Sequence, residues 1–322
     1  MVEGIKKIRN EIELFDKYFS KALSSKANLL HKITKYIGKN PGKKIRPICV
    51  ILSAGLLNNL NEKIYRGAVL IELLHTATLI HDDIVDDAQL RRSKFSINTI
   101  WKNKIGVLIG DYFLAQGLKL SVKYNDFDIL ELVSDVVQKI VEGELIQIQK
   151  TKRLNLKEKD YFEIISLKTG ALFETSFQIG SLGLKINANE QIKIKKVGLN
   201  LGMLFQIKDD ILDYTRKSII SGKSYGNDIK EGKINLPLLL ALKEMTFKEK
   251  NFTYKVLRSK KTKNNDIVKV FSLIKKYNGL NNAKLISNKF SEDAKKLLLT
   301  FPQNKFRNII MSLIDYLNQR EK

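Results

Sequence analysis

A chain of 322 residues, 43% of them hydrophobic, can bury a sizeable core as one large domain or two average ones. Its single cysteine, Cys49, excludes an intrachain disulfide and fits a reducing compartment. The net charge of +23 is compatible with an anionic partner, but the basic residues are mostly lysines spread along the chain, a pattern more typical of a solvated surface.

The N-terminal residues alternate charged and apolar types, so they lack the continuous apolar stretch of a secretory signal. No uncharged apolar run approaches the roughly 20 residues that span a bilayer as a helix. We therefore expect a soluble, cytoplasmic protein that does not insert stably into membranes.

Apolar residues recur at helical spacing through most of the chain, and no long stretch alternates with period two. Proline is absent between Pro47 and Pro237, which favours consecutive helices. Helices are expected near residues 5–38, 45–59, 68–82, 105–122, 128–150, 157–180, 188–215, 234–246 and 265–321. Breaks are expected at 40–42, 59–62, 90–100 and 221–232. No linker divides the chain, so we predict one all-α domain over residues 1–322 with ten or more helices.

One short pattern, D-D-x-x-D, occurs twice, each time at the end of an apolar helical stretch. The two copies contain Asp82, Asp83, Asp86, Asp209, Asp210 and Asp213. Residues four apart on a helix share a face, so the outer aspartates of each copy point the same way. Like charges at this spacing repel, and aspartates near a helix C-terminus oppose the helix dipole. A bound cation would offset both costs.

Magnesium suits these carboxylates, because they are hard oxygen ligands without a cluster of Cys or His nearby. Mg²⁺ usually takes one or two protein carboxylates and completes its shell with water and phosphate oxygens. The repeated motif therefore predicts a site that holds a diphosphate through magnesium.

The motifs and their surroundings resemble the trans-polyprenyl diphosphate synthases, the family of the farnesyl, geranylgeranyl and octaprenyl diphosphate synthases. The matching blocks are Gly42-Lys43-Lys44-Ile45-Arg46-Pro47, Glu72-Leu73-Leu74-His75, Arg91-Arg92, Gly110-Asp111-Tyr112, Lys168-Thr169-Gly170, Phe205-Gln206, Gly222-Lys223 and Glu231-Gly232-Lys233. The departures are mild: Pro41 where glycine is common, Lys44 for arginine, and Asn235 for threonine.

The resemblance implies a helical bundle around a central cavity, in which an allylic diphosphate ionises and isopentenyl diphosphate attacks the resulting cation. It implies three Mg²⁺ ions per active site and a homodimer. Asp82, Asp86, Asp209 and Asp213 would bind metal, supported by Asp83 and Asp210. The allylic diphosphate and its reactive end would be contacted by Arg91, Lys168, Thr169, Gln206, Lys223 and Lys233. Isopentenyl diphosphate would be bound without metal by Lys43, Arg46, His75 and Arg92.

Two further expectations concern the loop and the product. Glycine content and charge predict that Gly222 to Gly232 is a mobile loop carrying Lys223.

Short-chain members of the family often place an aromatic ring four or five residues before the first motif, where this chain has Thr78 and Ala77. We therefore expect the product tail to pass Ala77, with Leu74 one turn further along. Residues near the far end would be Phe113, Leu114, Gly117 and Leu120.

The resemblance thus implies a long-chain all-trans product of about eight to ten isoprene units, made in an apolar cavity and used for quinone side chains. Farnesyl or geranylgeranyl diphosphate would prime the reaction. A short-chain synthase is the alternative. A class I terpene cyclase lacks the block around Lys43 and Arg46 and usually has a different second metal motif. A nucleic-acid-binding protein would leave both aspartate motifs unexplained, and a noncatalytic synthase subunit would commonly have lost aspartates.

Overall fold

The computed structural model describes residues 3–25, 27–39, 42–91, 94–214, 226–259 and 262–320. The helices in these ranges are α1 (Glu3–Lys6), α2 (Arg9–Ala22), α3 (Asn28–Lys39), α4 (Ile45–Leu56), α5 (Glu62–Val85), α6 (Ile97–Tyr124), α7 (Phe127–Arg153), α8 (Glu158–Ile165), α9 (Ala171–Ile179), α10 (Ala188–Asp213), α11 (Asn227–Lys230), α12 (Leu236–Glu244), α13 (Phe247–Leu257), α14 (Asn264–Lys276), α15 (Gly279–Leu298) and α16 (Lys305–Gln319). A π-helical turn, Ser166–Gly170, joins α8 to α9.

The prediction of an all-α fold with ten or more helices is confirmed. In the described ranges, the only sheet is a short antiparallel hairpin of β1 (Leu90–Arg91) and β2 (Lys94–Phe95), with Leu90 opposite Phe95. The sequence predicted a break here but not a hairpin. The helical pattern expected over 265–321 is divided into three helices, α14, α15 and α16, and Asn278 between the first two has a positive φ.

The chain forms two compact units. The first comprises Met1–Val137, Leu172–Gly198 and Leu297–Leu313, and the second comprises Gln138–Ala171, Leu199–Lys296 and Ile314–Lys322. The prediction of a single domain over residues 1–322 stays a prediction.

In the first unit, α5 and α6 pack closely because glycines of α6 face α5. A Cβ on Gly110 would lie 2.1 Å from His81 Nε2, and one on Gly117 would lie 2.4 Å from Leu70 Cδ1. Asn61 caps α5 by accepting a hydrogen bond from the Ile64 N–H at 3.2 Å. The packing and the cap fix α5, whose C-terminal end carries the first aspartate motif.

In the second unit, a buried apolar cluster surrounds the C-terminal half of α10. It includes Ile207 and Ile211 of α10, Leu236 and Leu238 of α12, and Val270 of α14. Helix α12 begins with proline in its first turn, where the missing N–H costs no hydrogen bond. This cluster holds the end of α10, which carries the second motif.

Within the described part of the chain, one helix, α6, is long and apolar enough to cross a membrane by length and composition. One third of its most apolar 18-residue window is buried.

Candidate active site

The first aspartate motif ends helix α5. Asp86 is the C-cap residue, and its N–H donates to the Asp82 carbonyl at 2.8 Å, so helical spacing holds through the motif. Asp82 is half-buried and Asp86 is exposed. Two carboxylates on one face of a helix end repel each other and oppose the helix dipole, so the geometry favours a bound cation.

Asp83, the middle aspartate, has a different environment. Its side chain is only 5% exposed, and Arg91 Nε donates to both carboxylate oxygens at 2.7 Å. Asn98 Nδ2 donates to its backbone carbonyl at 3.2 Å. Asp83 therefore anchors the β1–β2 hairpin to the end of α5. The predicted contact of Arg91 with allylic diphosphate stays a prediction.

The second motif ends helix α10 in the second unit. Its outer residues, Asp209 and Asp213, are half-buried, and Asp209 accepts a hydrogen bond from Arg320. The middle residue, Asp210, is buried, as Asp83 is in the first motif. Both motifs thus place the outer aspartates closer to solvent than the middle one.

Asp210 lies within a hydrogen-bond network. Tyr161 Oη donates to Oδ2 at 2.7 Å, Gln206 Nε2 donates to Oδ1 at 2.9 Å, and the Leu236 N–H donates to Oδ2 at 3.3 Å. Burial, and secondly the charge of Asp228, raise the pKa of Asp210 to about 7. Asp210 therefore holds α8, α10 and the start of α12 in one arrangement.

The same network continues to the segment that carries Lys233. Asn235 Nδ2 donates to Asp228 Oδ2 at 2.7 Å, and Tyr214 Oη donates to Asn235 Oδ1. The Lys233 N–H donates to the Asp228 carbonyl at 2.8 Å. Asn235, a departure from the family pattern, thus contacts both Tyr214 and Asp228. Sequence reasoning missed Asp228, Tyr161 and Tyr214, because no motif spacing connects them.

Lys168 and Thr169 lie in the π-helical turn, a backbone irregularity that is frequent at functional sites. Lys168 Nζ forms an ion pair with Glu144 and donates to Gln147 Oε1 at 3.3 Å. Thr169 Oγ1 donates to Gln206 Oε1 at 2.8 Å. The structure thus brings the predicted pair Thr169 and Gln206 into direct contact. Lys233 Nζ lies 2.9 Å from Glu231 Oε2.

Arg46 and His75, predicted to bind isopentenyl diphosphate, meet in the first unit. Arg46 Nη1 lies 2.9 Å from His75 Nε2, and its guanidinium stacks 4.9 Å from the Phe173 ring centroid. A guanidinium can only donate, so Nε2 accepts and this contact requires the neutral tautomer with its proton on Nδ1. Lys43 is exposed and lies just before α4.

A cavity of about 960 Å³ in the first unit adjoins these groups. Its lining includes His75, Asp83 and Arg91, together with Lys44 and Glu72. Residues of the first aspartate motif and of the predicted isopentenyl diphosphate site therefore border the same space.

Residues predicted to control product length lie on α5. Ala77 is completely buried, Leu74 is 2% exposed, and Thr78 is half-buried and donates to the His75 carbonyl. The contacts of Gly110 and Gly117 set the register of α6 along α5, and that register places the completely buried Phe113 near the level of Ala77. Ala77 is therefore a small residue in a densely packed layer.

Arg92 and Lys223 lie outside the described residues, and so does Gly222 at the start of the predicted mobile loop. Of that loop, the described part contains the short helix α11 and two glycines with positive φ, Gly226 and Gly232.

No group of three or more His, Cys, Asp or Glu side chains in the described ranges is placed to hold a metal by itself. Magnesium does not need such a group, since it commonly uses one or two carboxylates with water and phosphate oxygens. The outer aspartates at each helix end supply hard oxygen donors of that kind. The donor set therefore fits magnesium and not zinc, which takes Cys and His in most sites.

Each of the two helix ends carries two outer carboxylates nearer solvent and one buried carboxylate, within an all-α fold, and these donors fit the class of enzymes that hold a diphosphate through a divalent metal. A sequence model of the family described as Polyprenyl synthetase matches residues 27–274. This chain belongs to the polyprenyl synthetase family, so the resemblance inferred from the motifs is confirmed.

Individual relatives agree with this assignment. The chain is 30% identical over 307 residues to an all-trans-nonaprenyl-diphosphate synthase (geranyl-diphosphate specific) of Rhodobacter capsulatus, covering 95% of this chain and 94% of that protein. It is 32% identical over 271 residues to a geranylgeranyl diphosphate synthase of Saccharolobus solfataricus, covering 81% and 80%. A solved polyprenyl synthase of Caulobacter crescentus, complexed with calcium and isoprenyl diphosphate, matches with a TM-score of 0.93 at 30% identity, over 100% of this chain and 98% of that one.

Proposed function

We propose that this chain is a trans-prenyltransferase that condenses isopentenyl diphosphate head to tail with an allylic diphosphate and releases a long-chain all-trans polyprenyl diphosphate. The repeated geometry of the two helix ends supports this proposal most directly. In each, the middle aspartate is buried in a hydrogen-bond network and the outer aspartates share the helix face nearer solvent. Membership of the polyprenyl synthetase family supports the same reaction.

The reaction breaks the carbon–oxygen bond of the allylic diphosphate and leaves an allylic cation. The double bond of isopentenyl diphosphate attacks that cation, a proton is lost from the product, and diphosphate is released. No enzyme nucleophile is needed. The one cysteine, Cys49, is buried, and burial raises the pKa of its thiol to about 12, so it supplies no thiolate.

Charge stabilisation on the departing diphosphate is the main requirement. As the family resemblance implies, Asp82, Asp86, Asp209 and Asp213 would hold Mg²⁺, with three ions per active site. Bound magnesium would neutralise the departing diphosphate and so favour ionisation. Arg91, Lys168 and Lys233, with Lys223 outside the described residues, donate to the allylic diphosphate as fixed cations.

The second substrate is bound by side chains of the protein alone. Arg46 and His75 are already in contact, and Lys43 lies three residues before Arg46 on the approach to α4. Together with Arg92, these residues bind isopentenyl diphosphate without metal, and Lys43, Arg46 and Arg92 supply the positive charge. Arginine suits this role because its planar fork can donate two parallel hydrogen bonds to a phosphate.

Two product classes are open to such an enzyme, and the relatives include both. The nonaprenyl-diphosphate synthase covers more of this chain than the geranylgeranyl diphosphate synthase does. Small residues at Ala77 and Thr78 further favour a tail that continues past the first motif. We therefore assign a long-chain product, with a short-chain product as the alternative.

The experiment that tests the reaction is incorporation of labelled isopentenyl diphosphate into an organic-solvent-extractable product. The expected result is incorporation that requires an allylic diphosphate and Mg²⁺ and is lost with EDTA. Metal-independent incorporation, or none with any allylic primer, would contradict the proposal. A terpene cyclase would consume the allylic diphosphate alone.

Assembly and location are part of the proposal. Helix α6 exposes apolar side chains at Val107, Leu108, Leu118 and Val122, which supports burial against a second copy in a homodimer. We place the enzyme in the cytoplasm, supplying quinone side chains without stable insertion in a membrane. Analytical ultracentrifugation tests the dimer. The unmodified chain should sediment as a dimer and Leu118→Glu as a monomer. Sedimentation of the unmodified chain as a monomer would contradict the proposal.

A further inference from the structure

The C-terminal arginine of the described chain lies against the second aspartate motif. Arg320 follows α16, and its Nη2 donates to Asp209 Oδ1 and, at 3.2 Å, to the Phe205 carbonyl. Its guanidinium stacks 4.6 Å from the Phe205 ring centroid. The Arg320 side chain is 6% exposed, whereas the Asp209 side chain is 37% exposed.

Such burial is costly for a cation unless an anion compensates it. Arginine remains charged at any relevant pH, so it cannot relieve the cost by losing a proton. Arg320 Nε is buried and makes no hydrogen bond within the described ranges. Asp209 is the carboxylate that bonds to Arg320, so this ion pair compensates the burial of the Arg320 guanidinium.

Asp209 is also the outer aspartate that the proposed function assigns to metal. A guanidinium bonded to one of its oxygens occupies a coordination position and repels an incoming dication. In the first motif, Arg91 bonds to the middle residue, Asp83.

We propose that Arg320 is an internal counter-cation of Asp209 that competes with divalent metal for the second motif. In the metal-free protein, Arg320 neutralises Asp209. Metal binding then requires Arg320 to lose its hydrogen bond to Asp209, so the position of the Arg320 side chain depends on whether metal is bound. The inference rests on the proposed function only for the assignment of Asp209 as a metal ligand.

The test is direct measurement of Mn²⁺ binding by the electron paramagnetic resonance signal of free Mn²⁺. It uses the full chain with Asp82→Asn and Asp86→Asn, so that binding reports the second motif. In this background, Arg320→Gln should bind Mn²⁺ about tenfold more tightly, the scale of removing one partly screened repulsive charge. Arg320→Lys should stay within about twofold of the background, because it keeps the charge.

Two controls make the result specific. Arg307→Gln removes an arginine of α16 that donates to the Phe301 carbonyl at 2.7 Å, and it should leave Mn²⁺ affinity unchanged. Adding Asp209→Asn should abolish the gain from Arg320→Gln. Circular dichroism establishes that each variant is folded.

Equal or weaker Mn²⁺ binding by folded Arg320→Gln would overturn the inference. The proposed function would survive that outcome if Asp209→Ala still abolished prenyl transfer. If neither the background nor Arg320→Gln bound Mn²⁺, the inference and the metal assignment of the second motif would both fail.

Discussion

Arg91 bonds to both carboxylate oxygens of Asp83, eight residues earlier in the chain, and so ties the hairpin after α5 to the end of that helix. Because Asp83 is buried, Asp83→Asn should lower the free energy of unfolding by about 2–3 kcal/mol, the scale of a hydrogen bond to a charged group. Urea unfolding measures this change. A loss below about 0.5 kcal/mol, the usual size for an unspecialised surface position, would show that the ion pair does not anchor the hairpin.

Removing an outer aspartate should act mainly on turnover, although Asp209→Ala also leaves the buried Arg320 guanidinium without its anion and should lower stability. Asp82→Ala or Asp209→Ala should each lower kcat by about two to three orders of magnitude, as expected for loss of one preorganised electrostatic group. Steady-state kinetics at saturating Mg²⁺ measures the effect. Asp87→Asn is the matched control, since Asp87 is exposed beside the first motif and outside its D-D-x-x-D pattern. Near-normal turnover in either alanine variant would rule out the assignment.

The two substrates should respond to different basic residues. Arg46→Ala should raise the KM for isopentenyl diphosphate far more than the KM for the allylic primer, because the lost interaction belongs to one ground-state site. Lys168→Ala should show the reverse preference. Kinetics with each substrate varied in turn measures the split. Equal effects of Arg46→Ala on both KM values would refute it.

The buried carboxyl of Asp210 predicts a pH dependence of stability. Its pKa is raised from 3.8 to about 7 in the folded protein, so between these values the folded state binds more protons than the unfolded state. Stability from this group is therefore present at low pH and is lost as pH rises toward 7. Urea unfolding should show that the free energy of unfolding of Asp210→Asn falls less between pH 4.5 and 7.5 than that of the unmodified chain. An identical fall in the free energy of unfolding of both proteins would contradict a raised pKa for Asp210.

Product length should depend on Ala77. Ala77→Phe adds a ring to a completely buried position, and if the product tail passes Ala77 the ring would block it, since close packing leaves no other spare volume. The variant should stay active and stop near farnesyl or geranylgeranyl diphosphate. Thin-layer chromatography of dephosphorylated products measures this. If the longest product matched that of the unmodified chain, the channel would not pass Ala77.

Much of the fold and the motif positions could be predicted from the sequence, because helical periodicity and D-D-x-x-D spacing are local properties. The helix ends at Asp86 and Asp213 follow from such local patterns. Helix α13 was missed, although Thr246 and Glu249 form a capping box that marks its start. The boundaries between the C-terminal helices were not predicted either, although Asn278, with its positive φ, and Pro302 lie between them.

The contacts that distinguish the middle aspartates from the outer ones could not be predicted from spacing. Tyr161 lies 49 residues before Asp210, and Arg320 lies 111 residues after Asp209. Such pairs depend on tertiary packing, which brings together residues that share no sequence pattern. The motif spacing therefore identified the aspartates, but only the structure distinguished the buried middle aspartate of each motif from the outer two.

The most direct test of the central claim is product analysis of the unmodified chain with farnesyl diphosphate, labelled isopentenyl diphosphate and Mg²⁺. We predict label in all-trans polyprenyl diphosphates of about eight to ten isoprene units, as a long apolar channel would allow. Label confined to products of three or four units would contradict the long-chain assignment, and absence of any labelled prenyl product would contradict prenyl transfer itself.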